Sequence, residues 1–235
     1  AIARSKWDAP DIDGQVIVDQ AQGVKPEDVT LKTTFLGGGF GRRIDLDFIV
    51  QAAQISKAVG KPVKLLWTRE DDMTHDFYRP MAVHQLAAAI GPDGKPTAMT
   101  FRMVSQSVTG RVFGLPVDVQ DPLMTEAALA PYEIPATRHE IVKHDSGLRV
   151  GYWRSVSHAL NAFANESFID ELAAAAGKDP YAYRMALLEQ HPRHANVLKL
   201  AAEKAGWGSP LPAGRWRGMA LMEGYDTYMA EVAEI

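Results

Sequence analysis

The residues best suited to bind a ligand form the loop at positions 37–43, which reads Gly-Gly-Gly-Phe-Gly-Arg-Arg. Four glycines within five positions allow positive φ angles and let a ligand come close to the backbone. Arg42 and Arg43 follow where a helix is expected to begin, and they add positive charge to the N–H groups of its first turn. This combination favours an anion, above all a phosphate. A tight turn with incidental arginines is the alternative interpretation.

The loop differs from the two common nucleotide-binding glycine motifs. In the register of G-x-G-x-x-G, Arg42 takes the place of the third glycine, so the Rossmann fingerprint is absent. The Walker pattern G-x-x-x-x-G-K-[ST] is absent as well. The loop alone therefore leaves the phosphate compound open.

A second candidate segment is 151–158, Gly-Tyr-Trp-Arg-Ser-Val-Ser-His, just before an expected helix. Trp153 can stack on a flat ligand, while Arg154 and Ser155 can hydrogen-bond to its polar edge. The alternative is an ordinary strand end with a buried tryptophan.

Other polar clusters give weaker signals. The acidic run 70–72 could hold a divalent cation, but adjacent carboxylates on a turn more often form a solvated face or a helix cap. His191 and His194 flank a proline that breaks the helix, and no third ligand stands nearby in the sequence. The remaining histidines and serines lack the order of a hydrolase triad.

The elements that must position these segments alternate between strands and helices. Residues 29–36 are expected to form a strand entering the glycine loop, 44–59 a helix, and 63–68 a strand. Residues 82–90 and 97–108 flank Gly-Pro-Asp-Gly, which predicts a hairpin. The remaining expectations are a strand or helix start at 14–20, a strand at 148–153, helices at 161–176, from 180 and at 195–205, and a strand at 219–235. The packing face of the helix at 161–176 is expected to include Phe163, Ser167, Asp170 and Ala174, with Phe168, Ile169 and Leu172 nearby.

Composition limits the classes of protein that fit. The 235 residues can form one large or two small domains, and 46% apolar with 23% charged residues is ordinary for a globular protein. A net charge of −4 argues against a general nucleic-acid binder. The sequence has no cysteine, which excludes a disulfide, a thiolate zinc site and a cysteine-ligated iron–sulfur cluster on it. Electrons from any redox reaction would leave through another chain or cofactor. The absence of an initial methionine suggests a processed or excised chain.

Together, the glycine loop and the second segment resemble the molybdopterin-binding large subunit of the xanthine oxidase family. The most similar branch comprises the large (beta) subunit of isoquinoline 1-oxidoreductase and related aldehyde dehydrogenases. The resemblance covers most of the chain from residue 29 onward. It rests on residues 36–43, 153–156 and 161–173, with support from 64–73 and from 217–234, which by the resemblance looks like a pair of strands.

The resemblance implies an α+β fold of mixed sheets with packed helices, the molybdenum-cofactor-binding domain of molybdenum hydroxylases. Residues 1–235 would be one such domain within a longer chain, with 1–146 and 147–235 as sub-domains. Members of this family insert a water-derived oxygen into N-heterocycles or aldehydes. They pass the electrons to iron–sulfur centres, which in this branch lie on a separate small subunit.

The resemblance also implies roles for individual residues. The cofactor-binding set is Gly38, Gly39, Phe40, Gly41, Arg42 and Arg43. Arg42 and Arg43 would favour a dinucleotide form of the pterin, with cytosine as its base. Trp153 and Ser155 would line the substrate pocket, and Arg154 would steady developing negative charge.

The sequence departs from the family pattern in three places. The family's general base is a glutamate in a C-terminal Gly-Glu segment that this chain does not reach, and neither Glu231 nor Glu234 is assigned that role. The family's N-terminal portion, with its glutamine-bearing cofactor loop, is also absent. Ser157 stands where the branch more often has glycine, which leaves the local turn in doubt. No side chain is expected to bind the metal.

The expected partners are a small iron–sulfur subunit, the rest of the parent chain and a small-molecule substrate, with no nucleic acid. Alone, the 235 residues are expected to be inactive and free of cofactor. A periplasmic or membrane-associated complex and a cytoplasmic one both remain open. The alternative function is a non-catalytic module of the same fold that binds a nucleotide or another anion.

Overall fold

The computed structural model describes residues 2–5, 23, 25, 28–116 and 118–235, and divides the chain into two compact units. The first unit comprises 1–80 and 147–154, and the second comprises 81–146 and 155–235. This division differs from the sub-domains 1–146 and 147–235 that the sequence suggested. The segment 147–154 belongs to the first unit because it pairs with the chain at Tyr78. The Tyr78 N–H donates to Arg149 O at 2.8 Å, and the Gly151 N–H donates to Tyr78 O at 2.9 Å.

In the first unit, strand β1 (Ile2–Ser5) pairs in parallel with β2 (Thr30–Thr33), within the strand expected at 29–36. A 3-10 turn (Arg42–Ile44) precedes helix α1 (Asp47–Val59). Helix α1 ends at Gly60, whose left-handed φ of 64° gives the usual glycine stop. The segment 14–20 lies outside the described residues.

The prediction of a strand at 63–68 is wrong, because these residues form no regular secondary structure. Trp67 instead packs back on α1, and its Nε1 donates to Gln51 Oε1 at 3.1 Å. Thr68 then caps helix α2 (Arg69–His75) in a reciprocal capping box with Asp71. The acidic run 70–72 is therefore the first turn of a helix, as the helix-cap interpretation held. The strand expected at 148–153 is reduced to a single bridge at Val150.

The second unit begins with the expected hairpin, formed by β3 (Ala82–Ile90) and β4 (Pro96–Ser105). Strand β4 ends earlier than expected because Ser107 caps helix α3 (Val108–Phe113), with its Oγ accepting from the Gly110 N–H. Strand β5 (Ala136–Lys143) joins β4 in parallel and gives the order β3-β4-β5. A parallel and an antiparallel pair in one sheet confirm the mixed α+β class.

Three helices follow, α4 (His158–Ala175), α5 (Pro180–Ala186) and α6 (Pro192–Lys204), close to their expected positions. The pattern from 219 onward predicted one strand, and the resemblance implied a pair of strands. The structure confirms the pair, an antiparallel hairpin of β6 (Arg217–Gly224) and β7 (Thr227–Glu234). No helix among the described residues has the length and apolar composition to span a bilayer. The main core of this unit contains Tyr132, Ile169, Leu172, Ala173, Tyr183, Leu187, Leu188, Leu198, Ala202, Met219 and Leu221.

The buried face of α4 agrees with the expected one only in part: Ile169 and Leu172 are buried, as expected. Phe163 is 74% exposed, so it is not part of the packing face. The face that packs carries polar groups as well as apolar ones, and so the helix shows no apolar stripe. Its members are His158, Asn161, Asn165, Glu166, Ile169, Leu172 and Ala173.

Candidate functional site

The glycine loop joins β2 to the 3-10 turn and presents its backbone to solvent. Gly38, Phe40 and Gly41 have positive φ angles of 134°, 52° and 88°. Within the described residues, backbone hydrogen bonding in this segment starts with the Arg42 N–H, which donates to Gly39 O at 3.0 Å. The preceding N–H groups therefore remain open to a ligand.

Gly41 lies directly against the backbone of Tyr152. A Cβ atom at position 41 would stand 2.7 Å from both the carbonyl carbon and the oxygen of Tyr152, too close for a real contact. Only glycine permits this approach, and its φ of 88° also favours glycine. The contact brings the glycine loop to the segment that carries Trp153 and Arg154, so the first unit joins two of the predicted groups of site residues.

Phe77 holds the other side of this segment. It is buried, and a Cβ at Gly151 would stand 2.6 Å from Phe77 Cβ. Trp153 Nε1 donates to Phe77 O at 2.9 Å. The guanidinium groups of Arg42 and Arg149 lie 5.1 and 4.5 Å from the centroid of the Phe77 ring, within cation–π distance. Phe77 is thus a common support for the glycine loop and for the Trp153 segment.

The two loop arginines have different surroundings. Arg42 donates to both carboxylate oxygens of Asp47 at 2.9 Å and forms an ion pair with Asp76. Burial alone would lower the pKa of Arg42. The hydrogen bonds and charge of Asp47, together with the charge of Asp76, outweigh the effect of burial, so the pKa of Arg42 is raised. Arg43 lies 5.4 Å from the Phe48 ring. Arg42 therefore has a structural role in this unit, and a cofactor contact by either arginine stays a prediction.

Trp153 and Arg154 are exposed at the end of the first unit, Trp153 to 49%. Arg79 contacts both of them. Its Nη2 donates to Arg154 O at 2.8 Å, and its guanidinium lies 5.7 Å from the Trp153 ring centroid. Burial lowers the pKa of Arg79.

Ser155, the third residue predicted for the substrate pocket, belongs to the second unit. Ser155 and Val156 have φ angles of 68° and 44°, and a β-branched residue rarely adopts the left-handed region. Such strain costs of the order of 1–3 kcal/mol per residue and is typical of functional sites. Ser157 has a φ of −80°, so the turn needs no glycine there. The unusual backbone lies at 155–156 instead.

The start of α4 is fixed by side chains that bind backbone carbonyls. Asn161 Nδ2 donates to Met124 O at 2.9 Å and to Glu126 O at 2.8 Å. Asn165, one turn later, donates to Ala127 O at 2.8 Å and to Ala128 O at 3.1 Å. These bonds satisfy loop carbonyls that would otherwise be buried without partners. The helix that follows Ser155 is therefore anchored at its first two turns.

A buried ion pair anchors the middle of α4. Arg184 is fully buried, and its Nε donates to Glu166 Oε2 at 3.0 Å. Glu166 also accepts from the Tyr132 hydroxyl and from the Leu221 N–H, both at 2.8 Å. Burial raises the pKa of Glu166, against the opposing effects of Arg184 and these hydrogen bonds.

The segment 76–80, which supplies Phe77 and Arg79, was not predicted as part of the site. Its sequence, Asp-Phe-Tyr-Arg-Pro, combines two aromatic residues and an arginine before a proline. Because proline biases the preceding residue towards extended backbone, the run was recognisable as a non-helical segment. Its role depends on a contact with distant residues, which a single sequence does not show. Among the described residues, no group of three or more His, Cys, Asp or Glu could hold a metal ion.

The open N–H groups of the glycine loop and the arginine–tryptophan edge beside it form a surface that suits an organic anion held by loop backbone. The model of the molybdopterin cofactor-binding domain family matches residues 12–188. The chain belongs to this family.

Individual relatives agree with this assignment. The chain is 32% identical over 210 residues to isoquinoline 1-oxidoreductase subunit beta of Brevundimonas diminuta, covering 88% of this chain and 27% of the relative. It is 34% identical over 233 residues to the membrane-bound aldehyde dehydrogenase [pyrroloquinoline-quinone] of Gluconacetobacter polyoxogenes, covering 86% and 29%. It thus spans less than a third of either relative.

A solved enzyme structure has the same fold. The structure of quinoline 2-oxidoreductase from Pseudomonas putida 86 superposes with a TM-score of 0.72 at 18% identity, covering 92% of this chain and 31% of that one. At this identity the likeness establishes the fold alone. The site residues must therefore be argued from their own geometry.

The geometry of the first unit fits a molybdopterin. Open backbone N–H groups in the glycine loop suit an anionic, oxygen-rich ligand. The contact of Gly41 with Tyr152 leaves no room for a side chain, which keeps the loop backbone beside the Trp153 edge.

Proposed function

We propose that this chain is the molybdopterin-binding part of a molybdenum-dependent hydroxylase or dehydrogenase that acts on N-heterocycles or aldehydes. The observation that carries the proposal is the contact of Gly41 with the backbone of Tyr152. It places an open glycine backbone beside an exposed aromatic ring and an exposed arginine. The membership of the chain in the molybdopterin cofactor-binding domain family supports molybdopterin as the cofactor.

The glycine loop would hold the cofactor through the backbone of Gly38, Gly39, Phe40 and Gly41. Because Arg42 is committed to Asp47 and Asp76, Arg43 is the loop cation better able to meet a phosphate. We infer a dinucleotide form of the pterin, with cytosine as the base, whose added phosphate Arg43 would contact.

The bound molybdenum centre would supply the two-electron oxidation, with the inserted oxygen derived from water. The residues of this chain would orient the substrate. Trp153 offers a half-exposed ring on which a flat heterocycle can stack. Arg154 would stabilise the negative charge that develops on the substrate, and Ser155, next in the chain, adds a hydroxyl.

The general base is proposed to lie in another part of the full-length protein. Glu234, on β7, bonds to Arg215 at 3.0 Å and to Arg217 at 3.1 Å. Hydrogen bonds from these two arginines lower the pKa of Glu234, which makes it a poor base. A separate small iron–sulfur subunit would accept the electrons, since this sequence has no cysteine to ligate a cluster.

Dye-linked oxidation by the full-length protein with its partner subunit tests this function. We expect oxidation of N-heterocycles or aldehydes, and we expect Arg154→Ala to lower kcat by at least tenfold with molybdenum content unchanged, because Arg154 would act in the transition state. Equal losses of kcat and molybdenum would indicate a structural role for Arg154. If neither substrate class is oxidised, the second candidate is favoured, a non-catalytic anion-binding module. The observation that favours this second candidate is the set of open backbone N–H groups in the glycine loop, which can bind an anion without any catalysis.

A further inference from the structure

Arg79 contacts both exposed residues of the proposed site edge. Its Nη2 donates to the carbonyl oxygen of Arg154 at 2.8 Å. Its guanidinium lies 5.7 Å from the centroid of the Trp153 ring. Both contacts lie within the first unit, although the residues are about 75 positions apart in the sequence.

These contacts restrain orientation. The Arg154 carbonyl belongs to the peptide group that leads into Ser155, so a hydrogen bond to it fixes the plane of that group. A guanidinium donor makes a stronger bond than a neutral amide does. The Trp153 ring is held at a second point, because its Nε1 donates to Phe77 O at 2.9 Å. One arginine thus restrains the backbone of one site residue and the ring of the other.

We propose that Arg79 is a positioning residue that holds Trp153 and Arg154 in their working orientation. This inference rests on the proposed function, in which Trp153 and Arg154 face the substrate. Arg79 itself touches no substrate in this account and acts through its two neighbours. Small displacements of orienting groups are enough to lower the rate of a reaction strongly.

Arg149 provides a matched control in the same unit. Its guanidinium lies 4.5 Å from the Phe77 ring centroid, and its Nη1 donates to His75 O at 3.4 Å. It has the same charge as Arg79, but it stacks on Phe77 where Arg79 lies over Trp153, and its described side-chain contacts do not include Trp153 or Arg154. Arg149→Met therefore removes an arginine from this surface without removing the proposed restraint.

Limited trypsin digestion of the full-length protein, with its partner subunit, measures the restraint directly. Trypsin cuts after arginine, so the Arg154–Ser155 bond is a built-in probe of the carbonyl that Arg79 binds. Arg79 precedes Pro80, a bond that trypsin does not cut, so Arg79→Met leaves the digestion map unchanged. We expect cleavage at Arg154 to accelerate roughly tenfold in Arg79→Met and to stay at the wild-type rate in Arg149→Met. Equal rates in wild type and Arg79→Met would overturn the proposal.

Kinetics of the loaded enzyme then separate positioning from general support. We expect Arg79→Met to lower kcat roughly tenfold with molybdenum content unchanged, and Arg79→Lys, which retains the positive charge, to recover part of the rate. Losses of kcat and molybdenum in the same proportion would overturn the positioning role. If the protein proves to lack molybdopterin, the proposed function fails, but the trypsin result still decides whether Arg79 holds the 153–154 segment.

Discussion

The two compact units are stabilised in different ways. The second unit buries large apolar side chains from three helices and a hairpin, with polar groups paired inside this core. The first unit buries few large side chains among its described residues, chiefly Val29, Leu46, Ile49, Phe77, Val150 and Tyr152. Its loops are held by close backbone contacts at glycines and by arginines stacked on rings.

This difference separates scaffold from site. The apolar core of the second unit gives large stability and tolerates few substitutions, because an uncompensated charge or a cavity inside it is costly. Loops held by single contacts leave backbone and ring surfaces exposed for a ligand, as at Gly38 and Trp153. Substitutions in the second unit should therefore act mainly on folding, and those in the first unit mainly on cofactor and substrate.

The largest expected effect follows from removing the buried arginine of the second unit. Arg184→Met leaves Glu166 buried with an uncompensated charge, and we expect a loss of about 3–5 kcal/mol in the free energy of unfolding. Urea denaturation of the 235-residue chain measures it. The control is Arg138→Met, since Arg138 is 74% exposed and pairs with Glu140 at the surface, where about 0–1 kcal/mol is expected. Equal losses in the two variants would contradict the contrast between buried and exposed pairs.

Gly41→Ala should act on the site. The added Cβ meets the Tyr152 carbonyl and the left-handed φ strains the residue, at a cost of the order of 1–3 kcal/mol. We expect the molybdenum and pterin content of the full-length protein to fall about tenfold. Gly37→Ala is the matched control, because a Cβ there has nothing within 4 Å and the φ is not in the left-handed region. Retention of cofactor in Gly41→Ala would show that the contact with Tyr152 does not shape the site.

A smaller effect is expected at the cap of α2. Thr68→Ala removes the side-chain acceptor for the Asp71 N–H, which costs about 1 kcal/mol for a typical N-cap. Thr68→Ser keeps the acceptor and should restore nearly all of the loss. Hydrogen exchange of the α2 amides measures the effect locally. If Ser and Ala prove equally destabilising, the capping bond does not stabilise the helix.

The smallest effect is a pH dependence in the second unit. Burial, together with Asp121, raises the pKa of Glu126 above its ordinary value of 4.5, although His158 opposes the shift. The folded chain then binds more protons than the unfolded chain above pH 4.5. This contribution to stability is complete below pH 4.5 and is lost as the pH rises through the raised pKa. Glu126→Gln should remove this part of the slope in urea denaturation between pH 4.5 and pH 7. An unchanged slope would contradict the assignment to Glu126.

Local patterns allowed most helices and the first hairpin to be predicted. Proline and glycine mark the start of α5 and the end of α1, and the signal Gly-Pro-Asp-Gly marks the turn between β3 and β4. The apolar run at 63–68 was misassigned because it packs through Trp67 onto α1 instead of pairing with a strand. Strand β5 was missed because its partner, β4, pairs with it in parallel after a long irregular connection.

The site was predictable in part. The loop glycines and the Trp153 segment stand out by composition, because few other roles require such residues together. Phe77 and Arg79 were missed because their importance arises only when 76–80 meets 149–154 in the folded unit. The partners of Arg42 could not be predicted either, because Asp47 lies at the start of α1 and Asp76 at the end of α2.

The central claim is that the glycine loop binds a molybdopterin. Molybdenum and pterin analysis of the full-length protein, purified with its partner subunit, tests it most directly. We expect stoichiometric molybdenum and a pterin cytosine dinucleotide. Absence of both, or a bound quinone such as the name of one relative suggests, would contradict it.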